Sequence, residues 1–114
     1  MLLFILILYS VVALLGIFML SKIISSNTPK LLTGIIHGSL GLAGLAFIIG
    51  YISFQNGEVP VYGFLFLLTA FFFGGGMISA TLSGKKYPKV ILFIHVIMAL
   101  TGLYLLFSFA LNKI

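Results

Sequence analysis

Charged side chains interrupt this sequence so rarely that four long apolar runs make up nearly all of it. The charge-free runs cover residues 1–21, 31–57, 59–84 and 90–112. A helix needs about 20 apolar residues to cross the roughly 30 Å hydrocarbon core of a bilayer. Strand-like alternation is absent, and in lipid only helices or closed barrels satisfy every backbone group. We therefore predict four transmembrane helices, at about residues 2–24, 30–54, 61–82 and 88–111.

The composition excludes several classes of protein. Only 6% of the 114 residues are charged, as six Lys and one Glu, against about 25% in soluble domains. A soluble globular domain, a disordered chain and a multidomain enzyme are thus ruled out. The sequence has no Cys, which excludes disulfides, thiolate metal sites and c-type haem attachment. The net charge is +5, but binding of nucleic acid needs a basic face on a soluble domain, and this composition provides none. We therefore expect no nucleic-acid partner.

The connectors between the apolar runs set the predicted topology. They are short, centred on residues 25–29, 55–60 and 83–88, and links of this length favour antiparallel neighbours. We expect one domain, residues 1–114, folded as an all-α, up-down-up-down four-helix transmembrane bundle. Five lysines surround the first and third connectors, namely Lys22, Lys30, Lys85, Lys86 and Lys89. The positive-inside rule then predicts that these connectors are cytoplasmic and both termini external, in a bacterial inner membrane.

The two halves of the sequence resemble each other, which indicates two repeated helical hairpins. Each half has a Pro-Lys pair, then a histidine followed by two small residues four and seven positions on. The corresponding residues are Pro29-Lys30, His37, Gly41 and Gly44 in the first half, and Pro88-Lys89, His95, Ala99 and Gly102 in the second. Positions i, i+4 and i+7 share one face of a helix. Because each repeat unit contains two spans, the second and fourth helices run in the same direction. Both histidines are therefore expected at similar depths, on the cytoplasmic side of the membrane midplane.

This pattern predicts a haem site inside the bundle. His37 and His95 would be the two axial ligands of one iron, on facing helices. The small residues beside them, Gly41, Gly44, Ala99 and Gly102, would leave space for the macrocycle. Lys30 and Lys89 would reach its acidic substituents at the cytoplasmic interface. Since no Cys is present, the cofactor would be one non-covalent haem b.

The bundle and the His37/His95 pair resemble the cytochrome b561 group of four-helix membrane cytochromes. Members of that group typically bind two haems through four histidines, whereas this sequence has two histidines and so at most one bis-His haem. The chain also resembles the haem-bearing anchor subunits of quinone-linked respiratory enzymes, but it has no Arg or Asp for their usual quinone sites. The resemblance implies electron transfer, with quinone or a membrane redox subunit as partner.

Other readings of the same residues remain open at the level of sequence. The histidines can act as polar links between helices, in a structural or assembly subunit without cofactor or in a homo-oligomer. They can also be the titrating groups of a small ion- or proton-coupled transporter. Two histidines alone make an incomplete zinc or copper site. No Ser/His/Asp set is possible without Asp, and the sequence does not decide whether the protein is an enzyme.

Two further groups of residues lead to structural expectations. The Gly74-Gly75-Gly76 run predicts close helix packing, with a haem face or a bend as the alternative. Tyrosines near the ends of the predicted spans are expected to be anchors at the membrane interface. They are Tyr9, Tyr51, Tyr62 and Tyr87.

Overall fold

The structure, a computed structural model, describes residues 1–25 and 30–113 and contains four helices in that part of the chain. They are α1 (Leu2–Ile24), α2 (Leu31–Gln55), α3 (Val61–Leu82) and α4 (Lys89–Lys113). The all-α prediction is confirmed, and every predicted helix end lies within two residues of the observed one. Most of the first predicted connector, residues 26–29 with Pro29, and the C-terminal Ile114 lie outside the described residues.

All four helices are long and apolar enough to cross a membrane. Their lengths of 22 to 25 residues correspond to more than the roughly 30 Å of a hydrocarbon core. Large apolar side chains cover the outside of the bundle, where Leu14, Ile17 and Phe93 are each 60% exposed or more. An apolar outer surface of this extent is stable against lipid tails and not against water. The helices thus have the properties of an integral membrane protein.

Local backbone geometry ends the second and third helices. After α2, Asn56 adopts a left-handed φ of 51°, which Asn tolerates better than most residues, and the Gly57 N–H donates to the Tyr51 carbonyl oxygen at 2.9 Å. After α3, Gly84 has φ 72°, and the Lys85 N–H donates to the Ala80 carbonyl oxygen at 2.8 Å. These bonds satisfy carbonyls that a helix end leaves free, and they let the chain reverse direction within a few residues.

Helices that are consecutive in each half run in opposite directions. Near the start of α1, Tyr9 lies beside Gly44 in the second half of α2, whereas Met19 near the end of α1 lies beside Gly34. The same relation holds between α3 and α4, because Leu67 in the first half of α3 lies beside Gly102 in the second half of α4. We call α1 with α2 the first hairpin and α3 with α4 the second hairpin.

The four helices form a square in which the two diagonal pairs do not touch through their backbones. The most extensive packing is between α3 and α4, followed by α1 with α2 and α2 with α3. The packing of α1 against α4 is the least extensive of the neighbouring pairs. Among the described residues, α2 and α4 have no close backbone approach, so any contact between them is made by side chains across the middle of the bundle.

The apolar core is concentrated at one end of the bundle. Its buried residues come from the first half of α1 and α3 and from the second half of α2 and α4. They are Ile5, Leu6, Tyr9, Val12, Leu45, Ile48, Leu67, Leu106 and Ala110. All lie toward the end of the bundle opposite to Lys22, Lys30 and Lys89. The lysine-rich half has no large, fully buried apolar side chain among the described residues, so its apolar core is thinner.

An ion pair closes the well-packed end of the bundle. The Lys113 ammonium at the end of α4 donates to Glu58 Oε2 at 2.8 Å, and Glu58 lies in the connector between α2 and α3. The hydrogen bond and the positive charge of Lys113 hold the pKa of the Glu58 carboxyl below its usual range. Both side chains are exposed, so we expect the pair to orient this connector and to add little to stability.

Candidate functional site

Two histidines face each other across the middle of the bundle, from the diagonal helices α2 and α4. The ring centroids of His37 and His95 are 6.2 Å apart, and the ring planes make an angle of 78°. Both side chains are half-buried, and they lie in the lysine-rich half, where the apolar core is thinner. The fold therefore brings together the two residues that the sequence analysis singled out as ligands.

Each imidazole is held by a backbone carbonyl of the neighbouring helix in its own hairpin. His37 Nδ1 is 2.9 Å from the Val12 carbonyl oxygen, and His95 Nδ1 is 2.7 Å from the Ala70 carbonyl oxygen. A carbonyl oxygen only accepts, so Nδ1 must carry the proton and donate it. In a neutral imidazole, Nε2 then keeps its lone pair free for a ligand or a metal. Donation from the second nitrogen to a carbonyl is also the usual support of a metal-bound histidine.

Glycines make these two hydrogen bonds sterically possible. A Cβ atom on Gly16 would lie 3.0 Å from His37 Cε1, and a Cβ atom on Gly74 would lie 3.0 Å from His95 Cε1. A helical side chain covers the turn that precedes it, where the carbonyls of residues four positions earlier are found. Those carbonyls belong to Val12 and Ala70. Without side chains at Gly16 and Gly74, each ring can lie flat enough against its neighbouring helix to reach the carbonyl.

The two histidines and the residues that they contact are related by a constant shift of 58 residues, whereas Lys30 and Lys89 are 59 residues apart. Each histidine bonds to a carbonyl 25 residues before it, and each ring packs on a glycine 21 residues before it. The same shift relates buried and half-buried residues at and near the site. The matched pairs are Val12 and Ala70, Gly16 and Gly74, His37 and His95, Gly44 and Gly102, and Tyr9 and Leu67. The repeat in the sequence therefore corresponds to repeated contacts in three dimensions.

Gly44 and Gly102, which the sequence analysis expects to leave space for the macrocycle, are covered by side chains of the neighbouring helix in this structure. A Cβ on Gly44 would lie 2.6 Å from Tyr9 Cζ, and one on Gly102 would lie 2.8 Å from Leu67 Cγ. Both glycines are buried by these side chains, so they serve close packing within each hairpin. Gly41 is different, because its nearest neighbour would be Val12 Cγ1 at 4.0 Å. Ala99, at the matching position on α4, is half-buried.

Gly44→Ala should destabilise the bundle, whereas Gly41→Ala should not. The added methyl group of Gly44→Ala overlaps the Tyr9 ring, and overpacking of this kind costs about 1–3 kcal/mol. At Gly41 the same methyl group makes an ordinary contact. Thermal unfolding of both variants in the same detergent measures the difference. Equal melting temperatures for the two variants would contradict the packing role of Gly44.

Tyr9 is not an interfacial anchor, because it lies in the core. Its side chain is 3% exposed, and its hydroxyl is the one buried side-chain polar atom among the described residues that has no hydrogen-bond partner. Tyr62 is 74% exposed, as expected of an anchor, and Tyr51 and Tyr87 are half-buried. The position of Tyr9 follows from its place opposite Gly44, where a small residue makes room for the ring.

The glycine run of α3 combines two environments within one continuous helix. Gly74 packs against His95, whereas a Cβ on Gly75 or Gly76 would meet nothing within 4 Å. Only the first of the three glycines is therefore needed for packing inside the bundle. The other two lie exposed on the outer surface of α3.

Both lysines of the predicted site lie at helix starts, on the side of the histidines away from the core. Lys30 immediately precedes α2, and Lys89 is the first residue of α4. Lys89 also lines a cleft of about 320 Å³ between α1 and α4, together with Leu92, Val96 and residues of the last turns of α1. Val96 directly follows His95, so the cleft extends from the level of the histidines to the lysine-rich end.

The donor set limits what the pair can bind. Within residues 1–25 and 30–113 no group of three or more His, Cys, Asp or Glu side chains comes together. Protein sites for zinc or copper use three or four protein ligands. A haem iron needs only two, because the porphyrin supplies the remaining four nitrogens.

Comparisons with protein families, with curated proteins and with solved structures find no match for this chain.

Sequence reasoning missed the residues that hold the histidines. Val12 and Ala70 contribute main-chain oxygens, which no side-chain pattern can indicate, and Gly16 carried no distinguishing motif. The signal that could have identified them is the shift of 58 residues. Once His37 is aligned with His95, Gly16 aligns with Gly74 in the other half of the sequence.

Proposed function

We propose that the protein is an integral membrane b-type cytochrome that binds one haem between His37 and His95 and transfers electrons. The observation that supports this most strongly is the geometry of the two imidazoles. Their centroids are 6.2 Å apart, and two imidazoles bound through Nε2 to one iron hold their centres on the order of 6 Å apart, since each metal–nitrogen bond is about 2 Å. The two ring planes make an angle of 78°, and each ring would keep this orientation through its Nδ1 hydrogen bond.

Different residues of the protein would ligate the haem, orient its ligands and keep them in position. His37 and His95 ligate, while the Val12 and Ala70 carbonyls fix the tautomer and the direction of each ring. Gly16 and Gly74 keep the rings within reach of those carbonyls. A bound haem supplies a one-electron centre whose potential is set by its axial ligands and by its burial. Propionates pointing to the lysine-rich end would be neutralised by Lys30 and Lys89.

The uneven packing of the bundle supports placing the cofactor in the lysine-rich half. The large buried side chains are all at the other end, and Tyr9 and Leu67 fill the space beside Gly44 and Gly102. On the core side of His37, a Cβ on Gly41 would have its nearest neighbour at 4.0 Å, so this position leaves room beside the ring. Lys30 and Lys89 on the connector side of the histidines, and Gly41 on the core side of His37, would therefore be the residues that line the haem.

The partners follow from the shape of the molecule. The connectors are short, so they offer no domain on which a soluble redox protein could dock. We propose quinol, or a membrane redox subunit of a larger complex, as the donor or acceptor, in a bacterial inner membrane. The first and third connectors would face the cytoplasm, because five of the six lysines surround them.

Alkaline phosphatase fused after the C-terminal residue should be active, and green fluorescent protein fused at the same place should not fluoresce, because the C-terminus is proposed to lie outside the cytoplasm. Alkaline phosphatase and green fluorescent protein fusions test this, since the first is active outside and the second inside. Fusions in the third connector, after Lys86, should give the reverse pattern and serve as the internal control. A fluorescent C-terminal fusion would contradict the proposed orientation and would move the histidines to the opposite leaflet.

A structural role without cofactor is the second candidate, and one observation favours it. The Nδ1 hydrogen bonds link α1 to α2 and α3 to α4, so the histidines tie each hairpin together even when nothing is bound. This role uses one nitrogen of each ring and leaves Nε2 without a function. It predicts that replacing a histidine lowers stability, with no pigment to be lost.

Haem content distinguishes the two candidates. Protein purified from haem-replete cells should contain one haem per chain by the pyridine haemochrome assay. Acidified acetone should extract all of the pigment, because the sequence has no Cys for a thioether bond. Pigment that stays with the protein would contradict non-covalent haem b, and colourless, stable protein would favour the structural role.

A further inference from the structure

The cleft between α1 and α4 is open to the surrounding lipid. Its wall is formed by Leu20, Ile23 and Ile24 of α1 and by Leu92, Phe93 and Val96 of α4, with Lys89 at one end. Ile24 is 75% exposed and Phe93 is 64% exposed, so the cleft is reached from the outside of the bundle. It forms where the helix packing is least extensive.

The dimensions of the cleft match part of one leaflet of a bilayer. From Lys89 to Val96, α4 rises by about 10 Å, and half of a hydrocarbon core is about 15 Å deep. The wall contains six apolar residues, which suit an acyl chain lying along the helices. The single charged residue is at the connector end, at the depth of a lipid headgroup.

The charge around the mouth of the cleft favours an anion. Lys89 is one of five lysines at this end of the molecule, and the one acidic residue of the sequence, Glu58, lies at the opposite end in a bond to Lys113. A lysine directly beside an anionic lipid headgroup favours its binding by roughly fivefold, and this attraction falls off within a Debye length.

We propose that this cleft binds one anionic phospholipid, with an acyl chain along the apolar wall and the phosphate beside Lys89. Such a lipid would fill the gap between α1 and α4 and hold the two hairpins together at the end where the protein's own core is thin. The cleft is lined by other side chains than the two imidazoles, but it shares Lys89 with the proposed haem site, so lipid retention and haem content are measured together.

Native mass spectrometry of the detergent-solubilised protein tests the proposal, with phosphatidylglycerol and phosphatidylcholine of identical acyl chains as probes. We expect one retained phosphatidylglycerol and several-fold weaker retention of phosphatidylcholine. Lys89→Gln should reduce the phosphatidylglycerol signal roughly fivefold. Lys86→Gln, which removes the same charge from the connector outside the cleft, should leave it nearly unchanged.

A second pair of variants tests the apolar wall. Leu92→Trp places a larger side chain in the cleft and should reduce retention of both lipids. Val90→Trp, on an outward position of the same helix that does not line the cleft, should retain phosphatidylglycerol as the unmodified protein does. Circular dichroism verifies that all four variants remain helical.

Three results would overturn the proposal. Equal retention of the two lipids would show that the cleft takes ordinary bilayer lipid. Equal losses in Lys89→Gln and Lys86→Gln would show a diffuse attraction to the lysine-rich end. Haem loss from Lys89→Gln with undiminished preference for phosphatidylglycerol would assign Lys89 to the propionates alone. Haem content is therefore measured in the same samples, so that a failure of the haem proposal is seen separately.

Discussion

His37→Ala and His95→Ala should each lower the haem content by at least about tenfold, or leave a high-spin pigment in place of a low-spin one. Each variant removes one axial ligand, and even loss of a supporting partner of a metal ligand commonly costs about 10–100-fold in affinity. The measurements are haem per protein and the visible spectrum of the reduced form. The two variants should behave alike, because the two histidines have matching environments.

A polar replacement separates ligation from hydrogen bonding. His37→Asn retains a side-chain amide that can donate to the Val12 carbonyl, but it offers no imidazole nitrogen to iron. If the histidines only hold the helices together, the protein has no pigment to lose. His37→Asn should then preserve the stability of the bundle, and His37→Ala should reduce it. If they ligate haem, both variants should lose the low-spin spectrum. Retention of that spectrum in His37→Asn would contradict axial ligation by His37.

Gly16→Leu and Gly74→Leu should also reduce haem binding, by about 10–100-fold, although neither residue is a ligand. A Cβ atom at either position lies 3.0 Å from Cε1 of the adjacent histidine, so a leucine must push the ring away from its carbonyl partner. The imidazole then loses the hydrogen bond that fixes its tautomer and its direction. Haem per protein, measured after titration of the purified protein with hemin, gives the loss of affinity.

Gly75→Leu is the matched control for Gly74→Leu. It makes the same substitution one residue later in the same helix, where a Cβ meets nothing within 4 Å. It should insert, remain folded and bind haem as the unmodified protein does. A similar loss of haem in Gly75→Leu would mean that leucine disturbs α3 generally, and it would contradict a specific role of Gly74 in positioning His95.

The helices were predictable from sequence because the membrane imposes a simple requirement. A charge-free run of sufficient length is needed for each span, and the lysines and Glu58 mark where the runs end. The end of α2 lies one residue beyond the predicted one, at Gln55, because Asn56 adopts a left-handed conformation directly after it. Hydropathy carries no information on such local geometry.

The histidine pair was predictable because the repeat places His37 and His95 at equivalent positions of equivalent helices. The partners of these histidines were not, because the rotation of α1 against α2 decides which carbonyl lies opposite each ring. That rotation depends on packing at other places, including the contact between Tyr9 and Gly44. For the same reason the sequence did not indicate that Tyr9 and Leu67 pack on Gly44 and Gly102. In an apolar bundle, a glycine makes room for a neighbouring side chain as readily as for a ligand.

The division of the bundle into a packed end and an open end links the fold to the proposed function. Large side chains fill the half near Glu58 and Lys113, and this half can fix the relative positions of the helices. The half that contains the histidines has no large, fully buried apolar side chain among the described residues, and it is the half in which we propose that the haem binds. Ligands held by a rigid scaffold next to an open volume are the usual arrangement of cofactor sites in helical bundles.

The absorption spectrum of the unmodified, detergent-purified protein tests the central claim most directly. Air-oxidised protein from haem-replete cells should show a Soret band, and dithionite should produce the sharp visible bands of a low-spin, bis-imidazole haem, at one haem per chain. A folded and colourless protein that takes up no added hemin would contradict the proposal that His37 and His95 bind haem.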